Sequence, residues 1–378
     1  MNLRIAILTN NITPYRNPLY ACLDHKCREL GWDLKVFFMK DRETFRSWDT
    51  REREMQYSYE ILKGYHWHFM KKRWEIHYNP SATASLRQYA PHVVIIGGYN
   101  SLTSWSVLHY CKRNRIKVIM WSGSTIGSST SNDGLIGILK STFIRACDGF
   151  VAYGTKAGEY LQFYGINASK IFLGCNVGDV DFYRAYALIT REDFHPPNEC
   201  VNLLFVGQLI RSKGIFNLIE ALKSVKWNNW HLNVLGEGPE HGNLEALAKN
   251  YNLADKITFA GFMQKEDLVK FFSMARVFVF PSLADKFSIV LSEALASGLY
   301  VIGSKYDGAS YDLIKDGHNG RIVDPKNIVE LAQSIEETIR DAHRLPSKLD
   351  VSDSISQYGV PYYADTFINA VRHVTNQQ

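Results

Sequence analysis

The chain of 378 residues has no apolar run that approaches the roughly 20 residues needed to cross a bilayer. The opening MNLRIAILTNN holds only a short apolar run between Arg4 and Asn10, which reads as a buried strand and not as a secretory leader. The six cysteines (22, 27, 111, 147, 175 and 200) form no C-x-x-C pair, so a disulfide framework or zinc module is not expected, and reduced, mostly buried thiols are. The twelve histidines contain no H-x-x-x-H spacing, and no G-x-S-x-G nucleophile elbow occurs. Gly236-Glu237-Gly238 lacks the third glycine of the dinucleotide fingerprint, which argues against a nicotinamide enzyme. Low-complexity tracts and short internal repeats are also missing.

What is present is an ordinary apolar fraction, 46%, with 21% charged residues, as in a water-soluble globular protein. The length suits two domains of about 180 residues. The net charge of +5 conceals an asymmetry: residues 1–180 hold 23 Lys and Arg against 14 Asp and Glu, and the remainder holds 20 against 24. A basic first half suggests an anionic partner there, such as a membrane, a lipid pyrophosphate or a nucleic acid, against the plain alternative of an unevenly charged, solvated surface.

The first half alternates strands and helices. Short apolar strands are expected at 3–8, 33–38, 92–96, 117–121 and 149–153, and helices at 17–30, 134–147 and 155–164. In 134–147 the residues recurring at helical spacing are Leu135, Ile138, Leu139, Thr142 and Ile144. The stretch 174–200, with Gly174, Gly178, Pro196 and Pro197, breaks the rhythm and reads as a linker. The second half resumes with strands at 201–206, 230–235, 256–260, 276–280, 299–303 and 320–323. Helices are expected at 214–226, 240–251, 265–274, 288–297 and 327–341, and a last one over 361–375. Such alternation implies α/β architecture with parallel sheets. The boundaries are 1–178, a linker over 179–200, 201–345, and a terminal segment 346–378 whose helix is expected to cross back to the first domain.

Ligands of open α/β sheets bind beyond the C-terminal ends of strands. Gly207-Gln208-Leu209-Ile210-Arg211-Ser212-Lys213-Gly214 leaves such an end and opens a helix. Arg211 and Lys213 flank its N-terminus, where anions are already favoured. The second such segment is Pro281 to Gly298. Asp285 lies in its loop, the amides of Phe287, Ser288 and Ile289 start a helix, and Glu293 sits on a face with Ile289, Val290, Ala296 and Ser297. A carboxylate on so apolar a face is costly unless something hydrogen-bonds it. The two hydroxyls of a ribose would do so, as would a protein cation.

The segment from Asp285 to Gly298 resembles the E-x7-E signature of retaining glycosyltransferases of GT-B fold, in particular glycosyltransferase family 4, with Asp285, Phe287, Ile289, Val290, Glu293, Ala294, Ala296 and Gly298 in its places. Asp316-Gly317-His318-Asn319-Gly320 resembles the family's following turn. Lys213 and Gly214 match its G-R-x-x-x-x-K-G element, Leu235 to Pro239 its G-x-G-P turn, and Phe259 to Met263 its F-x-G-x-x element. Two departures stand out: Asp285 replaces the usual Glu, and Gln208 the usual Arg.

The resemblance implies two Rossmann-like domains with parallel sheets facing across a cleft, and a nucleoside diphosphate sugar held by the second. Phe262 and Met263 would meet the nucleobase, and Gly207, Gln208 and the 287–289 amides the diphosphate. Glu293 would hold the ribose, Lys213 and Arg211 would offset leaving-group charge, and Asp285 would hold sugar hydroxyls. No cofactor and no metal is required in this reading. Asp179-Val180-Asp181 mimics a metal-binding D-x-D but falls in the expected linker.

In the first domain Asn11, Arg16, Ser122 and Ser124 follow strands and become acceptor or cleft residues; Arg16 is balanced between anion binding and a plain helix-terminal charge. Tyr65 to Trp74 mixes aromatic and basic residues and suits a lipid interface or a surface loop equally. The expected activity is transfer from a UDP-sugar, or a GDP-sugar, to a glycan or lipid-linked saccharide in cell-envelope polysaccharide synthesis. The expected location is cytoplasmic, at the inner face of the membrane. A sugar-nucleotide epimerase of the same fold and a non-catalytic sugar-nucleotide-binding subunit are the alternatives. A nucleic-acid partner is not expected, since no recognised binding module appears.

Overall fold

The computed structural model describes residues 2–41, 55–69, 74–127, 134–176, 178–189 and 200–376. The chain divides into two compact units, Met1–Cys175 with Val360–Gln378, and Asn176–Gly359.

Unit 1 begins with β1 (Arg4–Asn11), α1 (Asn17–Glu29), β2 (Asp33–Lys40), β3 (Tyr59–Ile61), β4 (Tyr65–Phe69) and β5 (Trp74–Tyr78). It continues with α2 (Ala82–Tyr89), β6 (Val93–Ile96), α3 (Leu102–Arg113), β7 (Lys117–Ser122), α4 (Gly134–Ala146), β8 (Gly149–Tyr153), α5 (Gly154–Phe163) and β9 (Ile171–Gly174). Seven strands form a parallel sheet in the order β3-β2-β1-β6-β7-β8-β9, and β4 and β5 form a separate antiparallel hairpin. Because side chains alternate along a strand, Ile5 and Ile7 of β1 pack on one face with Leu23 of α1, while Ala6 and Leu8 pack on the other with Val107, Phe143 and Leu161. Covering both faces is what lets so apolar a parallel sheet stay out of water.

Unit 2 contains α6 (Val180–Ile189), β10 (Val201–Val206), α7 (Ile215–Leu222), β11 (Trp230–Leu235), α8 (His241–Asn250), β12 (Ile257–Gly261) and α9 (Lys265–Met274). Then come β13 (Val277–Phe280), α10 (Ile289–Ala296), β14 (Tyr300–Ser304), α11 (Gly308–Leu313), β15 (Gly320–Val323), α12 (Ile328–Arg340) and α13 (Lys348–Asp353). Its parallel sheet runs β12-β11-β10-β13-β14-β15.

Three expectations are corrected. The stretch read as a linker from 179 is, over Val180–Ile189, a helix of unit 2 that packs on α10, α9 and α13. Its flanking glycines and prolines masked the apolar residues Val180 and Tyr183, which are buried; 190–199 lies outside the described residues. Tyr65–Phe69 and Trp74–Tyr78 are paired antiparallel strands, where a lipid interface or a surface loop was expected; 70–73 likewise lies outside the described residues. On α4 the helix is where the pattern puts it, but Leu135, Ile138 and Leu139 are exposed, and the buried residues are Gly137, Lys140, Phe143 and Ile144.

The last helix, α14 (Val360–Thr375), belongs to unit 1. Tyr363, Phe367 and Val371 recur on one face and enter the core with α1. The missing side chain of Gly174 admits the Tyr363 ring, since a Cβ there would lie 2.6 Å from it. The Trp121 indole then donates to the Tyr363 hydroxyl at 2.6 Å. Burying residues of this size is worth about 1.5–3 kcal/mol each, so the helix is an integral part of that core.

Candidate active site

In unit 2 the first strand of the sheet, β10, lies between β11 and β13, and the chain leaves β10 and β13 in opposite directions. This is the switch point at which open α/β sheets bind ligands. The two loops that emerge there are bound together. Leu283 donates its amide to the Ser212 carbonyl at 2.8 Å, and the Ser282 hydroxyl donates to the same oxygen at 3.2 Å. Gly214, at φ +70°, makes the approach feasible, because any Cβ there would overlap the Pro281 carbonyl. The result places the Lys213 ammonium against the Asp285 carboxylate, and 5.2 Å from the centre of the Phe280 ring. Both side chains are only partly exposed, so this pair is screened less than an ordinary surface pair.

Asp285 is backed by a residue that sequence reasoning missed. Asp307, fully buried, caps α11 through the Ala309 amide at 3.2 Å. It also accepts from the Ser288 amide at 3.1 Å and from the Ser288 hydroxyl. Burial, and then the charge of Asp285, push its carboxyl well above the usual range, while the Ser288 bonds oppose them. This corrects the expectation that the Ser288 amide is offered to a phosphate: Asp307 already occupies it. Ile289 opens α10, and first-turn amides have no intrahelical acceptor. An Asp just before Gly-Ala-Ser is a legible helix cap; its second task, holding the turn of another strand, is not legible.

Glu293 sits on α10 and is partly exposed. Its carboxyl receives the hydroxyl of Tyr183, from α6, and feels the positive charge of Lys265. Burial outweighs both and pushes the carboxyl up to about 7. Burial also raises the Tyr183 hydroxyl, which keeps it a donor. Gly178 closes one side: a Cβ there would come within 2.9 Å of Glu293 Oε1, and its amide donates to Ser292 Oγ at 3.1 Å. Asp179, the D-x-D mimic, pairs with Lys265 at 2.7 Å. Among the described residues no three His, Cys, Asp or Glu side chains could together hold a metal ion.

Other expected residues are more scattered. Arg211 is exposed, pairs with Glu240 at 3.2 Å and lies over the Phe216 ring at 4.7 Å, so it does not join Lys213 and Asp285. Gly207 and Gln208 are partly exposed at the end of β10. Gly236, at φ +135°, lets the next turn lie against the Gly207 carbonyl. Its amide donates to the Gly261 carbonyl at 2.8 Å, just before exposed Phe262 and partly exposed Met263.

Unit 1 has its own switch point, between β1 and β6. Arg16 lies beyond β1, and its guanidinium donates to Thr9 Oγ1 at 3.2 Å and to the Tyr153 hydroxyl at 2.9 Å. It lies 4.5 Å from the Trp121 ring centre. Arg16 Nε and Asn11 Oδ1 are buried without a hydrogen-bond partner among the described residues. The Thr9 and Tyr153 hydroxyls and the Trp121 ring that meet this cation are all neutral. Ser122 is buried at the end of β7 and accepts the Ser124 amide at 3.3 Å. The structure thus brings Arg16 to Trp121, one residue before Ser122.

With this geometry in place, similarity to known proteins can be assigned to particular parts of the chain. Residues 190–352 match the family Glycosyl transferases group 1. The match contains the strands, loops and helices around Lys213, Asp285 and Glu293. An uncharacterized glycosyltransferase of Methanocaldococcus jannaschii is 36% identical over 140 residues, which cover 37% of this chain and 36% of that protein. The lipopolysaccharide core biosynthesis glycosyltransferase LpsE of Rhizobium meliloti is 28% identical over 153 residues, covering 40% and 44%. The matches span less than half the length of these curated relatives.

Solved structures extend the likeness in fold to the whole chain. The lipopolysaccharide outer core galactosyltransferase WaaB superposes with TM-score 0.74 at 15% identity, covering 98% of this chain and 99% of WaaB. Alr3699/HepE of Anabaena, in complex with UDP, gives 0.73 at 15% identity, covering 98% and 100%. The fold is GT-B, with two Rossmann-like α/β units and parallel sheets, and within it residues 190–352 match the Glycosyl transferases group 1 family. No helix among the described residues is long and apolar enough to cross a membrane.

Proposed function

We propose that the chain is a retaining glycosyltransferase. It moves a sugar from a nucleoside diphosphate sugar, with UDP favoured over GDP, to a hydroxyl of a glycan or lipid-linked saccharide in cell-envelope polysaccharide synthesis. The observation that carries this reading is the Lys213–Asp285 pair at the unit 2 switch point, with the partly exposed Glu293 on the next helix.

Without a donor, Asp285 is the counter-charge of Lys213. A diphosphate brings more negative charge to the same loop, so Lys213 transfers to it and frees Asp285 for the sugar hydroxyls and the positive charge that develops at the anomeric carbon. Lys213 and the Phe287 and Ile289 amides offset the charge growing on the leaving diphosphate, the main electrostatic task of such a site. Glu293, once ionised, accepts from the ribose hydroxyls. Arg211 can join only by leaving Glu240, and exposed pairs of that kind are worth about 0–1 kcal/mol, so the exchange costs little. Phe262 and Met263 serve the base. No metal or cofactor is required; the sugar nucleotide is a substrate.

Arg16 takes an anionic group of the acceptor, and Asn11, Ser122 and Ser124 its polar remainder. The relatives named for lipopolysaccharide core synthesis and the basic excess of residues 1–180 support an acceptor met at the inner membrane surface. A thermal-shift panel of UDP-, GDP- and ADP-sugars tests the donor, because a ligand bound only to the folded state must raise its stability. Nucleotide release on adding acceptor, with the anomeric configuration of the product read by NMR, tests the reaction. A donor shift with no release favours the non-catalytic subunit, and sugar inversion without release favours the epimerase.

A further inference from the structure

The sheet edge that carries Asp285 holds cations that its acids do not cover. Strands β13, β14 and β15 are adjacent and parallel, so the loops that leave them meet at one edge. Each loop has one Asp and one Lys: Asp285 and Lys286 after β13, Lys305 and Asp307 after β14, Asp324 and Lys326 after β15. Lys213, from the loop after β10, adds a fourth cation. The acids are already committed. Asp285 is paired with Lys213, and Asp324 with Lys305 at 2.7 Å. Asp307 spends its oxygens on Ser288 and Ala309, and burial raises its carboxyl, which weakens it as a counter-charge.

Lys286 and Lys326 are left over: among the described residues neither ammonium has a carboxylate partner. Lys326 lies over the Tyr306 ring at 4.1 Å, and the Tyr306 carbonyl accepts the Asp285 amide at 3.0 Å. Lys286 is the more telling of the two. Its amide donates to Asp285 Oδ1 at 3.0 Å, and pairing of Asp285 with Asp307 anchors the backbone beside it. Its side chain reaches solvent, yet the protein around the ammonium lowers its pKa, against the opposing charge of Asp285. Only one other described lysine, Lys140 on the buried face of α4, is held low by burial. Stripping water from an ammonium is costly unless a partner replaces it. A lysine that stays within reach of solvent can recover that cost when an anion arrives.

Position selects the anion. In the reading above the diphosphate has Lys213 and the first-turn amides of α10, and the anionic group of the acceptor has Arg16. Lys286 adjoins Asp285, the residue given to the sugar. A neutral sugar offers this ammonium no charge to meet. A hexuronic acid brings a carboxylate, which Asp285 would repel unless a cation stood beside them both.

We propose that the donor sugar is a hexuronic acid, and that Lys286 selects its C6 carboxylate over the hydroxymethyl group of the neutral hexose. This rests on the donor reading above and names the class of sugar. Titration calorimetry on the full chain tests it with three matched pairs: UDP-glucuronic acid and UDP-glucose, UDP-galacturonic acid and UDP-galactose, GDP-mannuronic acid and GDP-mannose.

The expected result is one uronate bound at least about tenfold tighter than its neutral partner, as suits a charge-assisted contact. Lys286→Gln should erase that ratio and Lys286→Arg should keep most of it. An unchanged circular dichroism melt shows that the variants are folded. Neutral donors bound as tightly as uronates, or more tightly, overturn the inference and leave the donor site standing. A Lys286→Gln variant that weakens both members of a pair equally also overturns it, since Lys286 would then serve the diphosphate or Asp285. Binding of none of these sugar nucleotides would remove the donor reading itself, and this inference with it.

Discussion

The two sheets are wound alike, yet their switch points hold opposite electrostatic arrangements. In unit 2 three cations near the switch point are paired with carboxylates: Lys213 with Asp285, Arg211 with Glu240 and Lys265 with Asp179. In unit 1 Arg16 is held by hydroxyls and an indole face. Topology therefore selects the edge where a ligand sits, and the charge stationed there selects what the ligand must bring. In the proposed reading the paired site exchanges partners when a diphosphate arrives, whereas Arg16, with its neutral partners, takes an anionic group of the acceptor.

Removing Lys213 should break this comparison most severely. Lys213→Ala is expected to lower the transfer rate about 100- to 1,000-fold, the usual loss when a preorganised donor to a developing charge is deleted. Single-turnover kinetics would measure it. An effect below threefold would leave Asp285 as a merely structural partner. Arg16→Gln should come next. Hydrogen bonds to charged groups contribute about 1.5–3 kcal/mol, so the acceptor KM should rise roughly tenfold or more while the sugar-nucleotide thermal shift stays as in wild type. A reduced donor shift in this variant would move Arg16 to the donor.

The pH dependence separates the units more finely. The Glu293 carboxyl is raised in the folded state from 4.5 to about 7. A group so raised contributes stability that is fully present below about 4.5 and is lost as pH rises through about 7. Donor affinity should run the other way, increasing as Glu293 ionises to accept from the ribose. Titration calorimetry between about pH 6 and 8, one unit either side of that value, should show the rise in wild type and a flat profile in Glu293→Gln. The smallest effect belongs to Arg211→Ala. The lost pair with Glu240 should cost under about 1 kcal/mol of stability, with a rate loss well short of that for Lys213→Ala.

Legibility differed between the units for physical reasons. All six strands of unit 2 were readable to within a residue, because each is a short apolar run ended by Gly, Pro or a charged turn. In unit 1 the edge strands β3 and β9 escaped: their side chains are largely exposed or half-buried, so no continuous apolar run marks them. Helix α3 escaped because Ser and Thr interrupt its apolar stripe, although Ser101 caps it through the Ser104 amide at 3.0 Å. Helix α4 was found, but of the apolar residues that marked it Leu135, Ile138 and Leu139 are exposed and Ile144 is buried, since periodicity reports that an apolar stripe exists and not which way it turns. At the site, Lys213, Asp285 and Glu293 could be named from strand-end loops and a costly carboxylate. Tyr183 and Asp307 could not, because each acts through a contact made by an element more than ten residues away in the chain.

The central claim is that α10 and the turn before it grip a nucleoside diphosphate, with Glu293 on its ribose. Titration calorimetry of a UDP-sugar into wild type and Glu293→Ala at pH 8 tests it most directly. Loss of a charged hydrogen-bond acceptor worth about 1.5–3 kcal/mol predicts a Kd at least tenfold weaker in the variant. An unchanged Kd would contradict the account.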